Sequence, residues 1–311
     1  MPILRMWNGS QWIETTGAVD ALTEAEANTK YPAKAATEAA IARVDPGVTG
    51  VERQMVSIVG GTPSWLNLES IPLEALGVVY NDATMAAANS IALNNAMAAI
   101  VGSSVALGKD RKFTMRPLPV YISNTINMTG VQSLVIEGSG GSSFNETTGY
   151  GSVFIGTTNG MTLFDFGTGA TGNLHSGPRF IGVNFRVPPT GIGVSLRLVN
   201  RWGFDRCTFR SVSTPTTLVY LDADPSSVGG AISGGDAAWG FFDHCYFSNF
   251  SRAIDSRYTY GFTVIGGEFT GADNTSIGLY GIGQHVRFFG VKMDNGTFLD
   301  WAGSHCVFDI A

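Results

Sequence analysis

Asp205 and Asp243 stand at the same place in a recurring phrase, Phe204-Asp-Arg-Cys-Thr-Phe209 and Phe242-Asp-His-Cys-Tyr-Phe247. If the two phrases occupy neighbouring rungs of a repeating structure, equivalent residues lie at about the 4.8 Å spacing of paired strands. Two carboxylates that close raise one pKa and separate an acid from a base. Retaining glycosidases hold their carboxyl groups about 5–5.5 Å apart. The chemistry open to the pair is therefore acid/base cleavage of a glycosidic bond, in a groove on the wall of the repeat. The plainer reading makes Asp205 and Asp243 polar corner residues, with Arg206 and His244 as their partners. It takes precedence, because polar corners belong to any repeating β-structure.

Other residues could bind rather than react. Glu268 precedes Phe269 and is expected to point outward, and Asp255 and Asp294 are expected just beyond strand ends. Each could line a sugar-binding groove or be an ordinary solvated acid. Trp239 closes an insertion, residues 222–239, that interrupts the repeat. Long loops in compact folds are often functional, and Trp239 offers a surface for sugar stacking or for a contact between protomers. Asp222, Asp224 and Asp236 match no calcium-loop pattern, so no metal is expected. His175, His285 and His305 are scattered, and no Ser-His-Asp order, HExxH or phosphate loop is present. Gly138-Ser-Gly-Gly141 reads as turn glycines, because no βαβ context follows. No cofactor is expected.

The elements that must position these residues come from an internal repeat, which solenoids require. The phrase is an apolar residue, two variable residues, a small apolar residue, one variable residue, then Phe or Met. It recurs as Phe180–Phe185, Phe204–Phe209, Phe242–Phe247, Val264–Phe269 and Phe288–Met293, with Val131–Ile136 as an early version and Gly303–Phe308 as a late one. By subtraction of residue numbers the last residues lie 49, 24, 38, 22, 24 and 15 apart. Intervals of 22 and 24 are of the size that marks a solenoid, and a coil of that length would make 49 two coils and 38 one coil with an insertion. The final 15 requires a short last turn. Within the phrase, the last residue and the one two before it share a strand face. The first residue can also point inward only if the chain bends sharply at the two middle residues. That bend places Cys207, Cys245 and Cys306 at one equivalent inward position.

The N-terminal part reads differently. Leu4, Met6, Trp12 and Ile13 flank Asn8-Gly9, a two-residue hairpin turn signal. Residues 55–66 repeat the pattern around Gly60-Gly61. Hairpins this small need partners to bury a core. Between them, residues 20–44 read as two short helices, opened by a Thr23/Glu26 capping box, broken at Pro32 and ended by Asp45-Pro46-Gly47. Leu76–Tyr80 reads as a strand, and residues 83–101 as a helix capped by Asp82 and stopped at Gly102.

Composition fits. The 311 residues are 44% hydrophobic and only 14% charged, with 40 glycines, which suits sheets joined by many turns. The net charge of −6 gives phosphate backbones no general attraction, so nucleic acid is not expected as a partner. Three widely spaced cysteines make neither a disulfide framework nor a zinc site. Residues 1–11 lack the pattern of a signal peptide, and no run of about 18 apolar residues suggests membrane insertion.

Three stretches carry a family resemblance. Gly77-Val-Val-Tyr-Asn-Asp82 with the Ala-rich helix resembles a first strand and capping helix. Val120–Met128 with Val131–Gly138 resembles first coils, and the Phe-x-x-Cys-x-Phe phrases resemble the repeating strand. Over about residues 70–311 the chain resembles the pectate-lyase-like parallel β-helix superfamily, as used in phage tailspikes and tail fibres. The resemblance implies a mainly β fold: a right-handed single-stranded parallel β-helix with a small mixed α/β N-terminal attachment region. Residues 1–70 would attach to phage tail proteins, residues 71–115 would hold the first strand and capping helix, and residues 116–311 would form the β-helix, expected to be cut short near Ile310-Ala311. A homotrimer, a host surface polysaccharide as partner, and a place in the virion tail after synthesis in the host cytoplasm are also implied. The leading expectation is a structural, host-recognising tail protein rather than an enzyme. The alternatives are a polysaccharide depolymerase (hydrolase or lyase) and a passive tail connector.

Overall fold

The computed structural model describes residues 4–7, 12–15, 56–59, 62–65, 70–102, 111–140, 151–167, 177–213, 216–222 and 238–310. They fall in two compact units, Met1–Leu66 and Asn67–Ala311. The two short helices expected within residues 20–44 lie outside the described residues.

In the first unit Leu4–Trp7 pairs antiparallel with Trp12–Thr15, with Trp7 opposite Trp12. The Asn8-Gly9 turn expected between them lies outside the described residues. Val56–Val59 pairs with Thr62–Trp65, with Val59 opposite Thr62. The Gly60-Gly61 turn expected between them lies outside the described residues.

The second unit is mainly β, with long all-parallel sheets and a single α-helix among the described residues. The chain passes in turn through three parallel ladders, an arrangement consistent with a parallel β-helix. The first ladder runs through Ile71–Pro72, Arg111–Thr114, Leu134–Glu137, Arg179–Ile181, Gly203–Asp205, Ala238–Asp243, Gly261–Ile265, the start of Arg287–Asp294, and Val307–Ile310. The second runs through Pro119–Ile122, Val153–Gly156, Asn184–Val187, Thr208–Ser211, Tyr246–Ser248, Glu268–Thr270 and the end of Arg287–Asp294. The third runs through Ile126–Asn127, Thr162–Phe166, Ile192–Arg197, Thr217–Asp222, Arg252–Ser256, Ile277–Gln284 and Thr297–Ser304.

The recurring phrase spans the corner between the first and second ladders. Its first residue lies in one and its last in the other, and both point inward. Phe180, Phe204 and Phe242 form one stack, with ring centroids 5.4 and 5.2 Å apart. Phe185, Phe209, Phe247 and Phe269 form a second, with spacings of 4.7, 5.1 and 4.4 Å. The two stacks meet edge to face, at 5.2 Å between Phe204 and Phe209, the geometry aromatic quadrupoles favour. The bend between them is a left-handed residue at Gly182, Arg206, His244, Gly266 and Gly290, with φ between +49° and +62°.

The repeat differs from the sequence reading at both ends. Ile136 pairs with Phe180 and Phe308 with Phe288, so both belong to the first ladder and not to the column of Phe185. The interval of 49 is therefore not two coils. One coil joins Ile136 to Phe180, passing through Val153–Gly156 and Thr162–Phe166 on the way. The interval of 38 is one coil with an insertion, because Phe209 pairs directly with Phe247. Cys207 and Cys245 are buried at equivalent places between the first two ladders. Cys306 is not with them: it precedes the first ladder, on the rung after Val286, and is half-buried.

Leu76–Tyr80 is not a strand. Leu73–Leu76 winds as a 3₁₀ turn ending at Gly77, whose φ is +89°. Val78–Tyr80 then runs extended without joining a ladder. Val78 N–H donates to Leu73 O at 3.3 Å, and Val79 is held by a side chain: its N–H donates to Asn89 Oδ1, and Asn89 Nδ2 donates to its O, both at 2.8 Å. Asn89 lies in the helix α1, Ala86–Gly102. Asp82 caps the preceding 3₁₀ turn, accepting bonds from Thr84 N–H and Oγ1 at 2.9 and 2.6 Å. The hydrogen bonds hold the Asp82 carboxyl below the usual range.

Helix α1 lies over the exposed edge of the first rung, burying Leu93 and Met97. Asn89 Nδ2 also donates to Tyr121 O at 3.1 Å, Ser90 Oγ accepts from Ser123 and Asn124 N–H at 3.0 and 3.1 Å, and Asn94 Oδ1 accepts from Asn127 N–H at 2.8 Å. A sheet edge is a row of unpaired backbone groups. Here polar side chains of one helix face satisfy several of them.

Candidate functional site

The outward side chains sort by ladder. On the first, Asp205 and Asp243 occupy directly paired positions, so their backbones are about 4.8 Å apart. Each is held by the corner residue after it. Arg206 Nε donates to Asp205 Oδ1 at 3.0 Å, and His244 Nδ1 lies 2.6 Å from Asp243 Oδ1. The Arg206 guanidinium is pushed up by its hydrogen bonds to Asp205, with smaller Coulombic help from Asp205 and Asp243. The geometry sets the two pairs side by side at one corner. Arg206 and His244 take, with φ of +51° and +49°, a left-handed conformation that glycine takes on neighbouring rungs. That costs a side-chain-bearing residue about 1–2 kcal/mol, a cost met more often at functional positions than elsewhere.

On the second ladder, Glu268 and Asp294 come together through Lys292, which pairs in register with Glu268. Lys292 Nζ donates to Asp294 Oδ2 at 2.6 Å and lies 3.6 Å from Glu268 Oε1. The bond from Lys292 holds the Asp294 carboxyl low and raises the ammonium in turn. Glu268 also accepts from Thr270 Oγ1 at 3.3 Å. Asp294 is the last residue of its strand rather than beyond it.

Trp239 stands apart from these groups. It is 65% exposed, at the corner that leads into the first ladder. His285 and His305 occupy the same place in their rungs, three residues before Phe288 and Phe308 as Trp239 is before Phe242. All three have φ between +55° and +58°. The two histidines, scattered in the sequence, are therefore stacked, with ring centroids 5.0 Å apart. Tyr260 bridges from His285 at 5.2 Å to Trp239 at 6.1 Å.

Asp255 departs furthest from the sequence reading. It lies within the strand Arg252–Ser256, on the outer face of the third ladder, and is only 5% exposed. Tyr220 and Tyr280 flank it on the neighbouring rungs, and Arg252 Nη1 donates to its Oδ2 at 2.6 Å. Tyr220, Arg252 and Tyr280 were not legible as a group. The recurring phrase indexes only the first two ladders, and the links into the third vary in length. Among the described residues no group of three or more His, Cys, Asp or Glu is arranged to hold a metal. No helix among them is long and apolar enough to cross a membrane.

No protein-family model matches the chain, and no curated protein does. Among solved structures, ORF18 of Geobacillus virus E2 is similar over 99% of this chain and 68% of that one, at 13% identity and a TM-score of 0.33. That likeness is weak, and the functional reading rests on the chain's own residues.

Proposed function

We propose that the chain is a structural protein of a phage tail, a tailspike or tail fibre. In this reading its three ladders wind as a right-handed single-stranded parallel β-helix and three copies associate. Residues 1–70 attach to the tail, residues 71–115 close the first rung, and residues 116–311 present outward rows of side chains to a host surface polysaccharide. The observation that supports it is the rung-by-rung register of Phe185, Phe209, Phe247 and Phe269. It keeps every outward position aligned along the ladders, so polar, charged and aromatic groups form rows suited to a long polymer. The sequence resemblance to phage tailspikes points the same way.

Depolymerase activity is the second reading, favoured by the paired register of Asp205 and Asp243. Their ion-pair partners favour the structural role. The test uses the full-length protein on an array of bacterial capsular polysaccharides, O-chains and teichoic acids, with the soluble fraction analysed for released oligosaccharides. Binding without release is the expected result. Release that Asp243→Asn abolishes would establish the depolymerase, and absence of binding would leave only a connector role. Light scattering should give a mass about three times the 32.9 kDa of one chain.

A further inference from the structure

The outer face of the third ladder carries a row of Ser195, Tyr220, Asp255, Tyr280 and Asp300 on successive rungs. At its centre Arg252 is fixed from two sides. The nearly buried Asp255 carboxylate accepts from its Nη1, and its guanidinium lies 3.6 Å from the centroid of the Tyr280 ring. The side chain is nevertheless 35% exposed. Its Nε and Nη2 donors make no hydrogen bond among the described residues.

Stability does not explain this arrangement well. Ion pairs near the surface contribute little, and burying a carboxylate is costly unless its lone pairs are satisfied. Asp255 Oδ1 has no hydrogen-bond partner among the described residues. A buried carboxylate under an aromatic-stacked arginine is, however, an effective way to hold a guanidinium in one orientation. What it then presents is a planar fork of N–H donors, which matches the paired oxygens of a carboxylate or phosphate.

The surroundings are mixed in charge. Two residues further along the strands, Arg197 pairs in register with Asp222, and Arg257 follows Ser256, the partner of Leu221. Asp222 accepts from Tyr220 Oη at 3.1 Å. Arg197, Arg252 and Arg257 share this stretch with Asp222 and Asp255, and Asp165 and Asp300 lie at the two ends of the same row, so the fixed fork of Arg252 rather than any net positive charge would select an oxyanion. Asp300 lies two rungs beyond Asp255. The Tyr220 and Tyr280 rings, two rungs or roughly 10 Å apart, give apolar walls on either side. Burial first, and Asp222 second, push the Tyr220 phenol up, which keeps it neutral.

We propose that Arg252 anchors an oxyanion-accepting saccharide subsite. Its open edge takes the carboxylate or phosphate of an acidic polysaccharide while Tyr220 and Tyr280 flank the sugar rings. The subsite rests on the host-surface reading above, and its test separates the two. Full-length wild type and Arg252→Gln are compared on an array of bacterial surface polysaccharides with hexuronic-acid, phosphodiester and uncharged repeats. Circular dichroism and thermal melting check that the variant is folded. Wild type should bind an acidic polymer at least tenfold tighter than the uncharged ones, and binding should weaken with added salt. Arg252→Gln should lose that preference, and Arg252→Lys should recover part of it. The hexuronic-acid and phosphodiester arms tell which oxyanion is taken. Preference for uncharged polymers, or acidic binding unchanged in Arg252→Gln, would overturn the subsite and leave the host-surface reading standing. Wild type that binds nothing on the array would remove both.

Discussion

Cys207 and Cys245 are each 1% exposed, and their Sγ atoms lie 3.3 and 3.4 Å from the carbonyl oxygens of Phe180 and Phe204. Burial pushes the Cys245 thiol well up, and thiolates rather than thiols are the reactive species. Cys306, half-buried at the last rung, has no such shield. Iodoacetamide at pH 8 should therefore label Cys306 in the native protein and reach Cys207 and Cys245 only after unfolding, as peptide mass spectrometry will show. Labelling of Cys245 at the rate of Cys306 would mean the interior column is open. The sequence pointed to Cys207 and Cys245 because both phrases end in an inward Phe. It misplaced Cys306 because Cys-x-Phe looks the same before the first ladder as before the second.

At the level of elements, one buried face of α1 carries two duties. Leu93 and Met97 bury apolar surface, while Asn89, Ser90 and Asn94 bond to the backbone of the first rung and of Val79. Asn89 is fully buried and serves Val79 N–H, Val79 O and Tyr121 O. Replacing it with Ala leaves several of those groups without partners, at about 1–3 kcal/mol for a buried one. Asn89→Ala should lower the urea midpoint accordingly. Asn89→Asp should do worse, because it keeps the acceptor, loses both donors and buries a charge. Equal midpoints for wild type and Asn89→Ala would show that α1 does not hold the edge. The helix was legible from its Ala-rich composition and the Asp82 cap. Its partner was not, because Gly77-Val-Val-Tyr80 has the β-branched look of a strand and nothing local reveals that a side-chain amide takes the hydrogen bonds of Val79. The aromatic phrases made the first two ladders legible. The third, with Val194, Val219, Ile254 and Leu279 inward and no recurring aromatic, stayed hidden, and the Arg252 cluster with it.

On the scale of the whole molecule, each rung of the second unit contacts mainly the rungs before and after it, so stability should be a sum of nearest-neighbour terms. Phe209 is fully buried and stacked on both sides, against Phe185 and Phe247. Phe308 belongs to the last described rung, is half-buried and meets Phe288 at 5.6 Å on one side. Phe209→Ala should therefore cost about 3–5 kcal/mol, the range for a large aromatic lost from a packed interior. Phe308→Ala should cost clearly less, because part of its ring already meets solvent and among the described residues it meets the ring of Phe288 alone. The same asymmetry should appear in amide exchange. Val307–Ile310 should exchange by local fraying, while Thr208–Ser211 should exchange only on larger openings. Denaturant titrations of the two variants, with exchange measured on wild type, test both statements. Equal costs and uniform protection would mean that something seals the last rung as firmly as its neighbours seal the rung of Phe209. In that case the trimer contacts proposed above should be sought at that end first.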